Sequence, residues 1–171
     1  MMRIYWRLLT VAVAIAATVP AYAQTSTPGS AEVVEQYALT KNRDLAFGAV
    51  LPPTAGSNEI VINEDSGARS VTGGGNARVI GASSSLASYT VDGVGGQNFD
   101  ISVPATMTLT RFGGSETFTV TLVPSDLTGT LSGNSSGAGT ASFGVGGRFT
   151  VNTGAVIGLY QGTFLVTVEN N

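Results

Sequence analysis

Glu116-Thr117-Phe118-Thr119-Val120-Thr121-Leu122-Val123 is the stretch whose reading decides the fold. Phe118, Val120 and Leu122 fall on one parity, and Thr117, Thr119 and Thr121 on the other. A period of two is what extended backbone produces, because successive side chains leave a strand on opposite sides. One parity is apolar and the other hydroxylated, so one side meets a core and the other meets water. β-branched and aromatic residues fit such a half-buried pleated surface.

Working outward, the same alternation recurs. Upstream, Phe99, Ile101 and Val103 alternate up to Pro104, and Met107 and Leu109 continue it to Arg111. Shorter runs lie at Ile60-Val61-Ile62, closed by the turn residues Asp65-Ser66-Gly67, at Arg78-Val79-Ile80 and at Tyr89-Thr90-Val91. Leu45, Phe47 and Ala49 alternate before Pro52-Pro53. Residues 31–40 give a first strand, with Val33, Tyr37 and Leu39 on one parity and Glu35 breaking it. Downstream, residues 143–151 form a strand in which Gly146-Gly147 predicts a bulge or tight bend. Residues 162–169 form the last strand, with Phe164, Val166 and Val168 facing inward.

After residue 23 no apolar run has helical spacing. Short strands separated by Gly, Pro, Asn, Asp and Ser predict an all-β fold. The expected architecture is a single immunoglobulin-like, Greek-key antiparallel β-sandwich over residues 31–171. An outer-membrane barrel is the rival, and it requires an apolar face toward lipid and aromatic girdles. The threonine-bearing outer faces favour the sandwich.

The N-terminus reads as a cleavable export signal over residues 1–23. Arg3 and Arg7 precede an apolar run at residues 8–19, then Pro20 and Ala21-Tyr22-Ala23. That run is shorter than the roughly 20 residues a membrane helix needs. Residues 24–30, with Pro28-Gly29, form a flexible leader, and no transmembrane segment is expected in the mature chain. The expected location is therefore extracellular or at the cell surface, with the periplasm crossed in transit.

The chain has 171 residues, no histidine and no cysteine, and its one tryptophan, Trp6, lies in the signal. Ser-His and Cys-His nucleophile systems are therefore excluded, and zinc and copper lose their usual ligands. Eight basic residues against eleven acidic ones argue against nucleic acid as a partner. Glu64 with Asp65, and Asp92 with Asp100, are the carboxylate pairs available for acid-base chemistry. Neighbours on a strand point apart, and Asp65 sits in a turn, so no catalytic pair is expected. Oxygen ligands for calcium exist at Glu64, Asp65, Asn98 and Asp100, without the spaced loop calcium sites use. Gly93-Val94-Gly95-Gly96 and Gly144-Val145-Gly146-Gly147 open like dinucleotide fingerprints. No helix follows either one, so they read as turns. No enzymatic activity, cofactor or metal is expected.

Tyr160 stands just ahead of the last strand, in Gly158-Leu159-Tyr160-Gln161-Gly162-Thr163-Phe164-Leu165-Val166-Thr167-Val168. That is the place of a tyrosine corner, whose hydroxyl bonds a backbone group upstream. The alternative role for Tyr160 is stacking on a ligand.

Four stretches taken together carry a resemblance. They are Asp44-Leu45-Ala46-Phe47-Gly48 with Pro52, Gly67-Ala68-Arg69-Ser70, Phe143-Gly144-Val145-Gly146-Gly147, and the ending from Gly158 to Val168. In order and spacing they resemble the secreted proteobacterial "domain of unknown function 4402" family. The resemblance covers nearly the whole mature chain and implies an exported β-sandwich with no assigned activity. It marks Leu45, Phe47, Gly48, Tyr160, Gly162, Phe164, Val166 and Val168 as a structural motif. The closing pattern is also similar to that of spore-coat-U-like pilin domains. That similarity implies an incomplete immunoglobulin-like fold, completed by the N-terminal extension of a neighbouring subunit with a chaperone and an usher. The donor would then lie between Ala31 and Leu39, while the ending Glu169-Asn170-Asn171 lacks the tyrosine usual near a pilin terminus.

Two functions from different classes follow as expectations. One is a self-associating, fimbria-like surface subunit, with copies of itself, related subunits and a periplasmic chaperone as partners. The other is a monomeric binding module holding glycan or protein through the loops at residues 93–98 and 132–139.

Overall fold

The computed structural model describes residues 28–29 and 37–171. The expected signal peptide, most of the leader and residues 31–36 of the expected first strand lie outside the described residues. In chain order the strands are β1 (Ala38–Arg43), β2 (Ala49–Leu51), β3 (Ser57–Ile62), β4 (Arg69–Thr72) and β5 (Arg78–Ile80). Then come β6 (Ala87–Val94), β7 (Asn98–Ser102), β8 (Thr106–Arg111) and β9 (Thr117–Pro124). The series ends with β10 (Thr128–Thr130), β11 (Ala138–Asn152), β12 (Tyr160–Gln161) and β13 (Thr167–Asn170). All ladders are antiparallel. Among the described residues there is no helix, so none is long and apolar enough to cross a membrane.

The chain folds as an antiparallel β-sandwich whose two layers share one strand. β11, fifteen residues long, is that strand. On one edge its first half pairs with β6, from Ala138 opposite Val94 to Val145 opposite Ala87. Its second half pairs on the same edge with β3, from Gly147 opposite Ile62 to Asn152 opposite Ser57. β9 pairs with the middle of the other edge, Val145 to Arg148. The first layer is β1-β6-β11, and the second runs β4-β3-β11-β9-β8-β12.

Two strands sharing one edge explain Gly144 and Gly146. Where β6 takes over from β3, the chain after Ile62 must step off the edge and cross the outer face of β11. A Cβ on Gly144 would strike the Glu64 carbonyl, and one on Gly146 would meet the Ile62 carbonyl and the Glu64 backbone. The expected bulge at Gly146-Gly147 is thus absent as such. The register of β11 runs on unbroken, and what changes there is its partner.

The small sheet β10-β7-β13 repeats the order β9-β8-β12. β7 leads into β8 across Val103-Pro104-Ala105, and β9 leads into β10 across residues 125–127. The last strand departs from expectation here. Instead of one run over residues 162–169 it is split into β12 and β13. Tyr160 lies opposite Arg111 and Thr167 opposite Ser102, so seven steps on one side face nine on the other. Pro104 has no N–H to offer, and Gly162 lies against the Thr108 carbonyl, so no ladder spans the break. The inward parity survives: Phe164, Val166 and Val168 pack on the core while Leu165 is exposed.

The alternation at Leu45, Phe47 and Ala49 also departs from a strand. Only a bridge between Ala46 and Ser85 and the short β2 form there. Gly48, at φ 71°, takes a conformation that side chains disfavour and interrupts the run.

The core lies between the layers. Ile60, Val91, Val120 and Val145 have no exposure, and Phe99, Ile62 and Leu131 have almost none. Phe149 is buried, and Phe118 and Phe164 are partly buried against the same cluster. On the outer face, Thr106, Thr108 and Thr110 stand opposite Thr121, Thr119 and Thr117, so that face is hydroxylated.

Candidate functional site

Among the described residues, β1 and β12 each end a run of paired strands without a further ladder partner, and residues of both line one side of the sandwich. At one end they are bolted together. The Tyr37 hydroxyl lies 2.7 Å from the Asn98 carbonyl oxygen and 2.8 Å from Asn170 Oδ1, one proton between two acceptors. The Tyr37 ring leans on Phe99, with centroids 5.8 Å apart.

At the other end the edges part and leave an open cavity of about 980 Å³. Residues 44–52 form one wall and residues 155–164 the other. Ala87, Tyr89, Met107, Leu109, Phe118, Phe149 and Val151 form the floor. The rim is apolar and wet: Leu51 is 48% exposed, Ile80 47%, Ile157 84% and Leu159 63%. Leaving such side chains in water forgoes about 1.5–3 kcal/mol each when fully counted.

A row of four rings runs along the cavity. Phe47 meets Phe149 edge-on with centroids 4.9 Å apart, Phe149 lies 5.1 Å from Phe118, and Phe118 lies 4.6 Å from Tyr160. Aromatic pairs at such distances add about 0.5–1.5 kcal/mol each beyond their burial. Phe47 is held from behind, since Arg69 donates from Nη1 to the Phe47 carbonyl at 2.8 Å and from Nη2 to the Gly81 carbonyl at 2.6 Å. Tyr160 is held by its hydroxyl, which donates to the Val156 carbonyl at 2.8 Å and closes the turn ahead of β12.

One corner of the cavity is polar. Lys41 is opposite Tyr89 in the β1–β6 ladder, on the parity of the inward-facing Leu39 and Val91. An inward charge on an edge strand discourages indiscriminate edge pairing. Lys41 donates to Asp44 Oδ1 at 2.5 Å, and that bond raises the lysine's pKa above its ordinary value. Burial pushes the Tyr89 hydroxyl up. Tyr89 is only 6% exposed as a whole, and its hydroxyl tip reaches the solvent of the cavity rather than being sealed in.

Of the motif residues, Leu45, Phe47, Gly48, Tyr160, Gly162 and Phe164 line this cavity. Val166 and Val168 lie beyond the break and pack on the core instead. The carboxylates are not gathered. Asp65 lies in the turn whose backbone bonds to Asn63 Oδ1. Asp92 sits on β6 between Ala38 and Thr140, and Asp100 on β7 between Thr128 and Glu169. Among the described residues no three His, Cys, Asp or Glu cluster as metal ligands would.

The two loops at residues 93–98 and 132–139 do come together. The Gly95 amide donates to the Gly137 carbonyl and the Gly96 amide to the Leu131 carbonyl, both at 2.9 Å. Three residues escaped sequence reading: Tyr37 as the bolt, Arg69 as the strap behind Phe47, and, away from the cavity, buried Asn58. Asn58 donates to the Thr72 and Gly75 carbonyls and accepts from the Ala77 amide. Its one signal is parity, since it shares the inward side of β3 with Ile60 and Ile62.

No curated protein and no solved structure matches the chain at a significant level. The family model described as "Domain of unknown function (DUF4402)" matches residues 37–170. That match takes in both walls of the cavity, its floor and its polar corner, and the chain belongs to the DUF4402 family.

Proposed function

We propose that the protein is a non-enzymatic structural subunit, exported to the cell surface, that self-associates by strand addition. The observation that supports this reading is the gap between two edges that have no further ladder partner among the described residues, apolar along its floor and much of its rim. Free edge backbone and an apolar trough are the two things an added strand requires, the first for main-chain bonds and the second for alternate side chains. Partners on this reading are copies of the chain or related subunits, with a periplasmic chaperone covering the gap before assembly.

Ala38 and Leu39 belong to β1, and Tyr37 is bolted to Asn98 and Asn170, so these three residues are not free to serve as donor. The donor is therefore the chain ahead of Tyr37, and the deletion that tests it covers residues 24–36. The intact protein should form concentration-dependent polymers that resist mild denaturant, and the deleted one should stay monomeric. Polymers that persist after the deletion overturn the reading.

A second reading has one observation in its favour, the joining of the loops at residues 93–98 and 132–139. A secreted binding module for glycan or protein would use that joined surface. It predicts a monomer whose loop amides gain protection from hydrogen exchange when the ligand is added.

A further inference from the structure

Going beyond strand addition, we infer that the cavity is also a binding site for an uncharged single-chain amphiphile, an alkyl chain carrying a hydroxylated head such as a sugar.

Size, shape and charge carry this. The cavity's volume of about 980 Å³ falls at the top of the roughly 300–1,000 Å³ typical of small-molecule sites. Its floor is built in advance: Phe47 and Phe149 are each 8% exposed and packed edge-on, and Arg69 holds the Phe47 backbone from behind. A preformed floor spares a ligand the cost of ordering the site on entry. The row of rings from Phe47 through Phe149 and Phe118 to Tyr160 is continuous, with neighbouring centroids 4.9, 5.1 and 4.6 Å apart. It offers one unbroken apolar track, which a straight alkyl chain can follow.

Charge selects the head. Among the described residues, Lys41 and Asp44 are the only charged members of the lining, and they are bonded to each other at 2.5 Å. The pair cancels, so an ionic head of either sign would meet a partner of its own sign as well as the opposite one. Around the lining there is also hydrogen-bonding capacity without charge: the Tyr89 hydroxyl, which reaches the cavity's solvent, and Ser83, Gln161 and Thr163. Hydroxyls and amides both donate and accept, and so do the hydroxyls of a sugar. Ile157 and Leu159, 84% and 63% exposed, supply an apolar lip that a bound chain would cover.

The test is calorimetric titration of the exported protein with octyl and decyl glucoside, below their micelle concentrations and at a protein concentration where sedimentation shows a monomer. Both should bind saturably, one per chain, and decyl glucoside about tenfold more tightly, since each buried methylene is worth a factor of about four. Ile157→Asp and Leu159→Asp should each weaken decyl glucoside by about tenfold. Leu127→Asp, at a position as exposed as Leu159 but outside the cavity, should not. Thermal melts check that all three variants fold. Decanoate and decyltrimethylammonium, charged amphiphiles of the same chain length, should bind about tenfold more weakly than the glucoside. No saturable binding, or rim variants that bind as the wild type does, overturns the site and leaves strand addition untouched. Charged amphiphiles that bind as tightly as the glucoside overturn the choice of an uncharged ligand. Binding that appears only once residues 24–36 are removed also overturns the inference, because the cavity then belongs to the chain's own N-terminal segment. A protein that binds the glucoside but never forms polymers overturns strand addition alone.

Discussion

Gly146→Ala tests the structural device on which the two layers depend. The added methyl group would sit 2.7 Å from the Glu64 amide nitrogen and 2.9 Å from its Cα, and closer still to the Ile62 carbonyl oxygen. Ordinary contacts begin near 3.4 Å, so the crossing backbone would have to lift by about 0.5–1 Å. All three of these neighbours are main chain, so no rotamer change relieves the clash. The first ladder pair of β3 with β11, Ile62 opposite Gly147, is adjacent and would be pulled apart. Overpacking of this kind costs about 1–3 kcal/mol, and a lost ladder bond about 1 more. The sum, about 2–4 kcal/mol, is a large part of the 5–15 kcal/mol that typically holds a domain together. Gly74→Ala is the control, because a Cβ there meets nothing within 4 Å and the backbone is not left-handed. Reduced freedom in the unfolded chain should make that control neutral or slightly stabilising. Denaturant unfolding followed by circular dichroism gives both midpoints, with an unchanged slope showing that only stability moved. If Gly146→Ala unfolds within about 0.5 kcal/mol of the control, the crossing is not tight and the account of β11 is wrong.

Three further perturbations probe the site. Tyr160→Phe should lose about 1 kcal/mol, the worth of one hydroxyl-to-carbonyl bond, and speed amide exchange at residues 155–159; Tyr160→Ala should lose about 2–4 kcal/mol because the ring against Phe118 goes as well. Arg69→Met keeps the stem but removes both bonds to the Phe47 and Gly81 carbonyls, and should destabilise by about 1.5–3 kcal/mol in denaturant titration. Glu116 receives bonds from Arg111 at 2.6 and 3.2 Å, and those bonds hold its carboxyl pKa below the ordinary value. A depressed folded-state pKa means the contribution is fully present above the unfolded value of 4.5 and is lost as pH falls through the folded one. Melting temperatures of wild type and Glu116→Gln should therefore differ at pH 7 and converge in acid, and a gap that does not close with falling pH would refute the pairing.

Much of the architecture was legible because it rests on a period of two. Phe118, Val120 and Leu122 lie inward with threonines outward, and Phe99, Ile101 and Met107 are buried as their alternation required. Turn chemistry was equally readable at residues 63–67, where Asn63 Oδ1 and the Asn63 carbonyl tie the hairpin. Alternation failed where a backbone feature intervened. Leu45, Phe47 and Ala49 alternate, yet left-handed Gly48 breaks the strand. Residues 162–169 keep their parity, yet the ladder fails opposite Pro104. Parity reports which side a residue faces, not whether its neighbour strand can still pair.

The site was legible only as separate motifs. Leu45, Phe47 and Gly48 lie more than a hundred residues from Tyr160, Gly162 and Phe164 in sequence, and nothing local says that they form opposite walls of one cavity. Local patterning of side chains determined the strands, the inward faces and the absence of helix among the described residues, since these follow from backbone geometry and burial one residue at a time. Which strands became neighbours, that β3 and β6 share an edge of β11, and that two edges were left facing across an apolar gap were decided only by the tertiary structure. Those outcomes depend on contacts between residues far apart in the chain, and such contacts form only once the whole core closes.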